Sequence, residues 1–375
     1  MKIWPLLGIK EQKQVSRPTF LYIDADALRH NVARIKQYAP TQSILAMVKA
    51  DAYGCGMQMV LPILEPLVDA FGVACLEEAR VLRQICLQKE CVLMQGLFAA
   101  DDMPALVEMR LSTVIHNPQQ LTWLTTIPAA EPIKIWVKID TGMHRLGFHP
   151  RELAHVLAVL RACPWIDQQI GLMTHLGCAD TPELGACQQQ LHAWELIAQQ
   201  HAEMPQSVAN SAAIVALPQT HADRVRPGLL LYGASPFADC LGTDLGLQPV
   251  MHFISTVTTI HEFLPGDAIG YGATWACERP SVIGVIPVGY GDGYPRHIKA
   301  NTQVWVNGQA VPIVGRISMD MMAIDLTDCP IVKIGDRVEL WGKHIPIEVV
   351  AHQANTIAYE LMTQVTQRVG KQYLE

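Results

Sequence analysis

The sequence predicts an α/β fold, a (β/α)8 TIM-type barrel followed by a mostly β C-terminal domain, and three observations support this prediction. The chain has 375 residues, enough for two domains of roughly 100–200 residues each. In its first two thirds, short apolar runs alternate with helical periodicity, which is typical of parallel strands covered by helices. Beyond about Gly246, helical periodicity fades and β-branched runs with turn signals follow.

Eight apolar runs are the candidate barrel strands. The clearest helix between them is 183–200, where Leu184, Cys187 and Leu191 recur at helical spacing. A further strand at 20–24 and a helix at 26–38 precede the first run. Eight strand–helix units within about 250 residues favour a barrel. A doubly wound parallel sheet is the alternative. The runs are 43–48, 70–74, 91–94, 112–116, 133–139, 169–175, 206–209 and 222–226.

The last third of the chain contains a hairpin signal. The runs 304–306 and 310–314 flank Asn307-Gly308, a pair that suits a type I′ turn because both central residues need a positive φ. We therefore predict an N-terminal arm at 1–17, the barrel with the cofactor site at 18–245, and a β-rich domain at 246–375.

Composition excludes several classes of protein. The net charge is −7, and there is no long basic run, so we expect no nucleic-acid partner. No apolar stretch approaches the roughly 18 residues of a membrane helix, so we expect no membrane partner. The apolar patch at 3–7 contains Pro5 and is shorter than a signal-peptide core of about 7–15 residues. The ten cysteines include no Cys-x-x-Cys pair, which favours a cytoplasmic protein with reduced thiols and no metal site.

Polar clusters follow several candidate strands at the point where each strand ends. In a barrel these points share the C-terminal rim, where barrel enzymes keep their active sites. The clusters therefore predict an active site at this rim. They are residues 49–54, residues 140–147, Thr174-His175, Asn210-Ser211 and Arg226-Pro227-Gly228.

Lys49 is a candidate reactive residue because of its position in the sequence. It ends an apolar strand, where a buried, charged lysine would be costly. A lysine whose pKa falls in such a place can form an imine with an aldehyde. From the local residues alone, a solvated lysine at the end of a strand remains the alternative.

The segment Val48-Lys49-Ala50-Asp51-Ala52-Tyr53-Gly54 resembles the pyridoxal-phosphate lysine motif of alanine racemases. The resemblance extends over essentially the whole chain, with the matching segments in order. Two positions depart from the family pattern, Cys55 where histidine is usual and Gly370 where proline is common. The other matching segments are 140–147, 209–211, 224–233, 270–272, 288–295 and 315–320.

The resemblance implies a set of residues that bind pyridoxal 5'-phosphate. Lys49 would carry the cofactor covalently, Arg226 would face its pyridine nitrogen, and His175 would link that arginine to a catalytic tyrosine. Because a guanidinium only donates hydrogen bonds, the ring nitrogen would stay unprotonated. The phosphate would lie among Tyr53, Asn210, Ser211 and Gly228.

The resemblance also implies two bases on opposite faces of the substrate. Lys49 would serve the D-enantiomer, and Tyr271, reaching the site from the partner subunit of a homodimer, would serve the L-enantiomer. Supporting roles would fall to residues around them. Arg145 and the Met319 backbone of the other subunit would bind the substrate carboxylate, and Lys138 would steady Arg145, often as a carbamate. Tyr290 would line the entry path, and Asp320 would be a further supporting residue.

The implied function is interconversion of L-alanine and D-alanine by two-base α-proton transfer, which supplies D-alanine for peptidoglycan. Within the same chemistry, a serine or broad-specificity amino-acid racemase is an alternative. A non-catalytic pyridoxal-phosphate carrier is another, but such carriers lack a β domain. A decarboxylase is disfavoured by the tyrosine base at Tyr271.

Overall fold

The computed structural model describes residues 16–329 and 331–374. Apart from Ser16 and Arg17, the predicted N-terminal arm lies outside the described residues. The described chain begins with strand β1 (Phe20–Asp24) and helix α1 (Ala25–Tyr38). The Asp24 side chain accepts a hydrogen bond from the Ala27 N–H at 2.8 Å and so caps the start of α1.

The next part of the chain forms the predicted barrel. All its strands run parallel, and their order around the sheet follows the chain, with the last strand paired to the first. The N–H of Arg226 donates to the Ala209 carbonyl at 2.9 Å, which joins the last two strands and closes the ring. The strands are β2 (Ser43–Met47), β3 (Ala70–Val73), β4 (Glu90–Leu93), β5 (Ser112–Ile115), β6 (Ile135–Lys138), β7 (Gly171–Met173), β8 (Gln206–Ser207) and β9 (Arg224–Val225).

Helical segments connect these strands and cover the outside of the barrel. Their apolar faces are buried, as in α4, where Leu76, Ala79 and Leu82 recur at helical spacing. Among the residues that the structure describes, no helix is long and apolar enough to cross a bilayer. The segments are α3 (Met57–Leu64), α4 (Leu76–Ile85), α5 (Met103–Glu108), α6 (Pro118–Thr126), α7 (Leu153–Arg161), α8 (Gly185–Gln200) and α9 (Ser211–Ala216). The short segment α2 (Lys49–Tyr53) lies at the rim and has a left-handed backbone.

Side chains fill the N-terminal half of the barrel. An apolar cluster from six strands, which includes Trp136, occupies its interior. Below it, Arg224 pairs with Glu90 at 2.8 Å and lies over the Trp136 ring. Because this end is closed by packing, any cavity within the barrel must open at the opposite rim.

The second domain is built on one nine-stranded sheet. Strand β1 belongs to this sheet, between β10 and β17, although it precedes the barrel in the chain. The predicted domain boundaries remain a prediction. The remaining elements are β10 (Met251–Thr256), β11 (Thr259–Phe263), β12 (Ser281–Ile286), β13 (Gln303–Val306), β14 (Gln309–Val314), β15 (Met322–Asp325), β16 (Arg337–Trp341), α10 (Ile347–Gln353), α11 (Ala358–Gln364) and β17 (Gly370–Leu374).

The predicted hairpin is confirmed. Strands β13 and β14 pair antiparallel around Asn307-Gly308, and these two residues have φ values of 45° and 93°. Positive φ at both central positions is the requirement of a type I′ turn.

Candidate active site

A cavity of about 920 Å³ opens at the C-terminal rim of the barrel, against helix α11 of the second domain. It collects the polar clusters that follow the barrel strands, as their positions in the sequence predict. The predicted site residues that line it are Lys49, Tyr53, Lys138, Arg145, His175, Asn210, Ser211, Arg226 and Gly228.

Lys49 enters this cavity from an unusual piece of backbone. Strand β2 ends at Met47, and the four residues Ala50 to Tyr53 then have φ between 52° and 54°. This left-handed turn costs roughly 1–2 kcal/mol per residue for side chains larger than glycine. Such strain persists where the surroundings hold it, and it concentrates at functional sites.

The electrostatic surroundings of Lys49 favour a reactive amine. Its side chain is partly buried, and burial lowers its pKa below the ordinary lysine value, with the nearby Arg145 cation acting in the same direction. A larger fraction of this amine is therefore neutral near pH 7 than in a solvated lysine. A neutral amine can attack an aldehyde or accept a proton.

One end of the cavity offers small hydrogen-bonding groups. A Cβ atom on Gly228 would lie 2.2 Å from the Tyr53 hydroxyl oxygen, so only glycine fits against that tyrosine. The Gly228 N–H donates to the Ser211 hydroxyl at 2.9 Å, and the Asn210 side chain caps α9 by accepting from the Ala213 N–H at 3.0 Å. Burial raises the pKa of Tyr53, so its phenol stays protonated and can donate.

Arg226 is buried and held by neutral acceptors. Its Nη1 donates to the Ser207 hydroxyl at 2.7 Å, and its Nη2 donates to the carbonyls of Thr174 at 2.6 Å and Val208 at 3.1 Å. Burial lowers its pKa to about 10, so the guanidinium remains charged at neutral pH. Burial, reinforced by Arg226, lowers the pKa of His175 to about 3, so its imidazole is neutral.

The cavity carries an excess of positive charge. Lys138 is buried at the end of β6, and burial together with Arg226 and Arg145 lowers its pKa to about 8. Within 16–329 and 331–374, no carboxylate forms an ion pair with Lys138, Arg145 or Arg226. Asp140 instead accepts from the N–H groups of its own loop at Gly142 and His144.

This set of donors fits a phosphorylated aldehyde. The neutral amine would react with the aldehyde carbon, and the protonated hydroxyls would donate to the phosphate. The cations without an ion-pair partner would bind a carboxylate. The Tyr53 hydroxyl occupies the space that a Cβ on Gly228 would need, so this hydroxyl lies close to the backbone at that end of the cavity.

Other predicted site residues do not line the cavity. Tyr271, Tyr290 and Met319 lie on the second domain, with 68%, 39% and 52% of their surfaces exposed, and Asp320 is also exposed. The Tyr290 N–H donates to the Ser318 carbonyl at 3.0 Å, which ties the loops of Tyr290 and Met319 together. The same segment reaches the Tyr271 loop, because Arg316 packs against the glycines on either side of that tyrosine.

A buried carboxylate that the sequence analysis did not single out braces these loops. Asp292 is fully buried, and its two oxygens accept from Arg17 at 2.5 and 2.6 Å. Arg17 also donates to the Asp320 carbonyl, and Arg368 donates to the Asp320 side chain at 2.5 Å. Asp292 lies in a glycine-rich turn that could have drawn attention, but no sequence signal connects it to Arg17.

Sequence profiles of known families match both halves of the chain. The alanine racemase N-terminal domain matches residues 23–236, and the alanine racemase C-terminal domain matches residues 250–373. The chain belongs to the alanine racemase family. The alanine racemase of Legionella pneumophila (strain Corby) is 51% identical over 95% of this chain and 99% of its own length. That of Nitrosococcus oceani is 48% identical over 93% and 97% of the two chains.

Solved alanine racemases share the fold. The biosynthetic alanine racemase of Pseudomonas aeruginosa superposes with a TM-score of 0.92 at 39% identity, covering 96% of this chain and 100% of that chain. The alanine racemase of Bartonella henselae with covalently bound pyridoxal phosphate has a TM-score of 0.86 at 28% identity, covering 95% and 99%. The predicted family and fold class are confirmed, and this family is pyridoxal-phosphate-dependent.

Proposed function

We propose that this chain interconverts L-alanine and D-alanine with pyridoxal 5'-phosphate bound covalently to Lys49, as a homodimer with shared active sites. One observation supports this most strongly. A partly buried lysine with a lowered pKa shares a single cavity with protonated hydroxyls and a buried guanidinium. That combination suits an aldehyde that also carries a phosphate.

Residues around the cavity would hold the cofactor. Tyr53, Ser211 and Gly228 would receive the phosphate, where hydroxyl and backbone donors lie close together. Asn210 orders the backbone at that point by capping α9, and Arg226 would donate to the ring nitrogen. The bound cofactor would supply an electron-withdrawing ring that makes the α-proton of alanine removable.

Two groups of this chain would then move the α-proton. The Nζ atom of Lys49 would accept or return it on the side of the D-enantiomer, and the Tyr271 hydroxyl would do so on the side of the L-enantiomer. Two bases on opposite sides invert the centre without turning the substrate. His175, held neutral by its surroundings, could both accept and donate a hydrogen bond beside Tyr271.

The second base would come from the partner subunit. Tyr271, Tyr290 and Met319 share one exposed surface and do not line the cavity of their own chain. Exposed large side chains on a surface with braced loops suit an interface between copies. In a dimer with twofold symmetry, each surface would complete the other subunit's site. There the Met319 N–H and Arg145 would bind the substrate carboxylate, and Tyr290 would line the substrate path.

Lys138 is proposed to react with CO2, so that its amine becomes a carbamate with release of one proton. Only a neutral amine reacts, and the lowered pKa of about 8 increases the neutral fraction near pH 7.5. The carbamate would add a negative charge beside Arg145, which forms no ion pair with a carboxylate of the described residues.

We expect CO2-free buffer to lower activity about tenfold or more, as for the loss of one hydrogen bond to a charged group. Bicarbonate should restore the activity, and a carbamate signal should appear by 13C NMR with labelled bicarbonate. The Lys138→Ala variant should lose this response and regain activity with acetate. Equal activity of the wild type with and without CO2 would exclude the carbamate.

The decisive experiment follows one enantiomer of alanine in heavy water. We expect inversion together with α-deuterium uptake by the wild type reconstituted with pyridoxal phosphate. Neither inversion nor exchange would favour a non-catalytic carrier, and faster turnover of serine would favour a serine or broad-specificity racemase. We favour alanine because the curated relatives at 48–51% identity are alanine racemases.

A further inference from the structure

Glu78, on helix α4, uses both oxygens of its carboxylate on the backbone beside Lys49. Oε1 accepts from the Ala50 N–H, and Oε2 accepts from the Ala74 N–H, both at 2.7 Å. Ala50 directly follows Lys49, and Ala74 directly follows strand β3. One carboxylate therefore connects the C-terminal ends of two neighbouring barrel strands.

The left-handed turn needs support from outside. Within it, Ala52 donates to the Val48 carbonyl and Gly54 donates to the Ala50 carbonyl, both at 2.9 Å, whereas the first N–H, at Ala50, goes to Glu78. Ala50 is exposed, so without Glu78 its N–H could bond only to water. The four strained residues would then lose the hydrogen bond that ties their start to α4, and such bonds to a charged group are stronger than neutral ones.

The second domain holds the middle of the turn and the residues that follow it. Lys371 pairs with Asp51 at 2.6 Å, and the Tyr373 hydroxyl donates to the Cys55 carbonyl at 3.0 Å. The turn is thus held at its start by α4 of the barrel and further along by β17. Of these supports, Glu78 is the one that holds Ala50, the residue next to Lys49 in the chain.

We propose that Glu78 is a positioning residue for Lys49, which closes the start of the left-handed turn and fixes the backbone from which the reactive amine extends. This proposal rests on the proposed function of Lys49. The negative charge of Glu78 also opposes the lowering of the Lys49 pKa by burial and by Arg145.

The Glu78→Gln variant tests this arrangement with almost no change of shape. A glutamine amide has one acceptor oxygen and one donor nitrogen. One of the two backbone N–H groups would then face another donor. The matched control is Glu77→Gln, since Glu77 is the exposed neighbour and contacts neither Ala50 nor Ala74.

The first measurement is amide hydrogen exchange in the full-length protein without cofactor. We expect segments 49–56 and 72–76 to exchange about 10–100-fold faster in Glu78→Gln, the effect of losing a hydrogen bond to a charged group. The Glu77→Gln variant should exchange like the wild type, and both variants should keep the wild-type melting temperature. Unchanged exchange in Glu78→Gln would overturn the proposal.

The second measurement separates binding from turnover in the loaded enzyme. We expect kcat to fall about 10–100-fold while KM changes little, because a displaced amine affects proton transfer more than substrate binding. With kcat counted per folded, cofactor-loaded site, a fall in activity that only matches the loss of such sites would indicate a purely structural role and overturn the proposal.

The Glu78→Asp variant keeps both acceptors but is one methylene shorter, so we expect intermediate exchange and kcat. If neither Glu78→Gln nor Glu78→Asp folded, Glu78 would contribute to overall stability, and the proposed positioning role would be wrong. If the wild type neither bound pyridoxal phosphate nor racemised alanine, the proposed function would fail. The exchange comparison without cofactor would still decide whether Glu78 holds the turn.

Discussion

The Lys49→Arg variant is expected to lose both covalent capture of pyridoxal phosphate and racemisation. Arginine keeps the positive charge but stays protonated, so it can neither form an imine nor accept the α-proton. Loss of proton transfer alone reduces turnover about 10²–10⁴-fold. Borohydride reduction followed by mass spectrometry of the peptide that contains residue 49 would measure capture directly.

Lys36→Arg is the control for this variant, since Lys36 is exposed in the last turn of α1 and does not line the cavity. It should retain both capture and activity. Recovery of the cofactor on another lysine of the wild type would refute the assignment of Lys49, as would near-normal racemisation by Lys49→Arg.

The Tyr271→Phe variant is expected to act on one enantiomer more than on the other. Removing the hydroxyl should slow removal of the L-alanine α-proton about 10²–10⁴-fold, the usual contribution of one general base. Removal of the D-alanine α-proton should change much less, because Lys49 is untouched. Single-turnover exchange in heavy water, with each enantiomer as the starting material, measures the two rates separately.

Tyr290→Phe provides the comparison, because Tyr290 lies on the same exposed surface but has no proposed role in proton transfer. Its effect, if any, should be equal for the two enantiomers. Equal slowing of both enantiomers by Tyr271→Phe would show that the assignment of the two faces is wrong.

Mixed dimers test whether Tyr271 acts in the partner's site. In the proposed dimer, each site takes Lys49 from one subunit and Tyr271 from the other. A Lys49→Arg subunit and a Tyr271→Phe subunit would contribute both of their defects to one site. A mixed dimer would therefore contain one site with both defects and one site with none. Random mixing of the two inactive variants should restore about one quarter of wild-type activity in a twofold dimer. No recovery after verified subunit exchange would place both groups in the same chain.

Much of the fold followed from local patterns. The barrel strands begin within two residues of the starts of the predicted runs. A short run that is apolar at nearly every position must be buried on both faces, and the strands of a parallel sheet covered by helices meet that requirement. The Asn307-Gly308 hairpin followed from the φ values that its turn requires. The order of polar clusters along the chain was sufficient to predict that they meet at one rim, since every barrel strand points the same way.

Other features depend on contacts between residues that are distant in the chain. The pairing of β1 with β10 and β17 joins the N-terminal strand to the second domain, and periodicity carries no information on such partners. The bond between Arg17 and Asp292 likewise joins residues that are 275 positions apart. In the sequence, Glu78 is one of two acidic residues in the first turn of a helix. Only the folded chain brings the N–H groups of Ala50 and Ala74 to its carboxylate.

Residue identity and local periodicity were sufficient to predict the family, the barrel with its β domain, and the types of side chain at the rim. Contacts between distant parts of the chain set which rim residues share a cavity, turn the backbone after Lys49 left-handed, and leave Tyr271 outside its own chain's cavity. Those properties arise from packing and from burial, which lowers the pKa of Lys49 and keeps His175 neutral. Neither can be read from residues one at a time, since the groups responsible come from separate strands and loops.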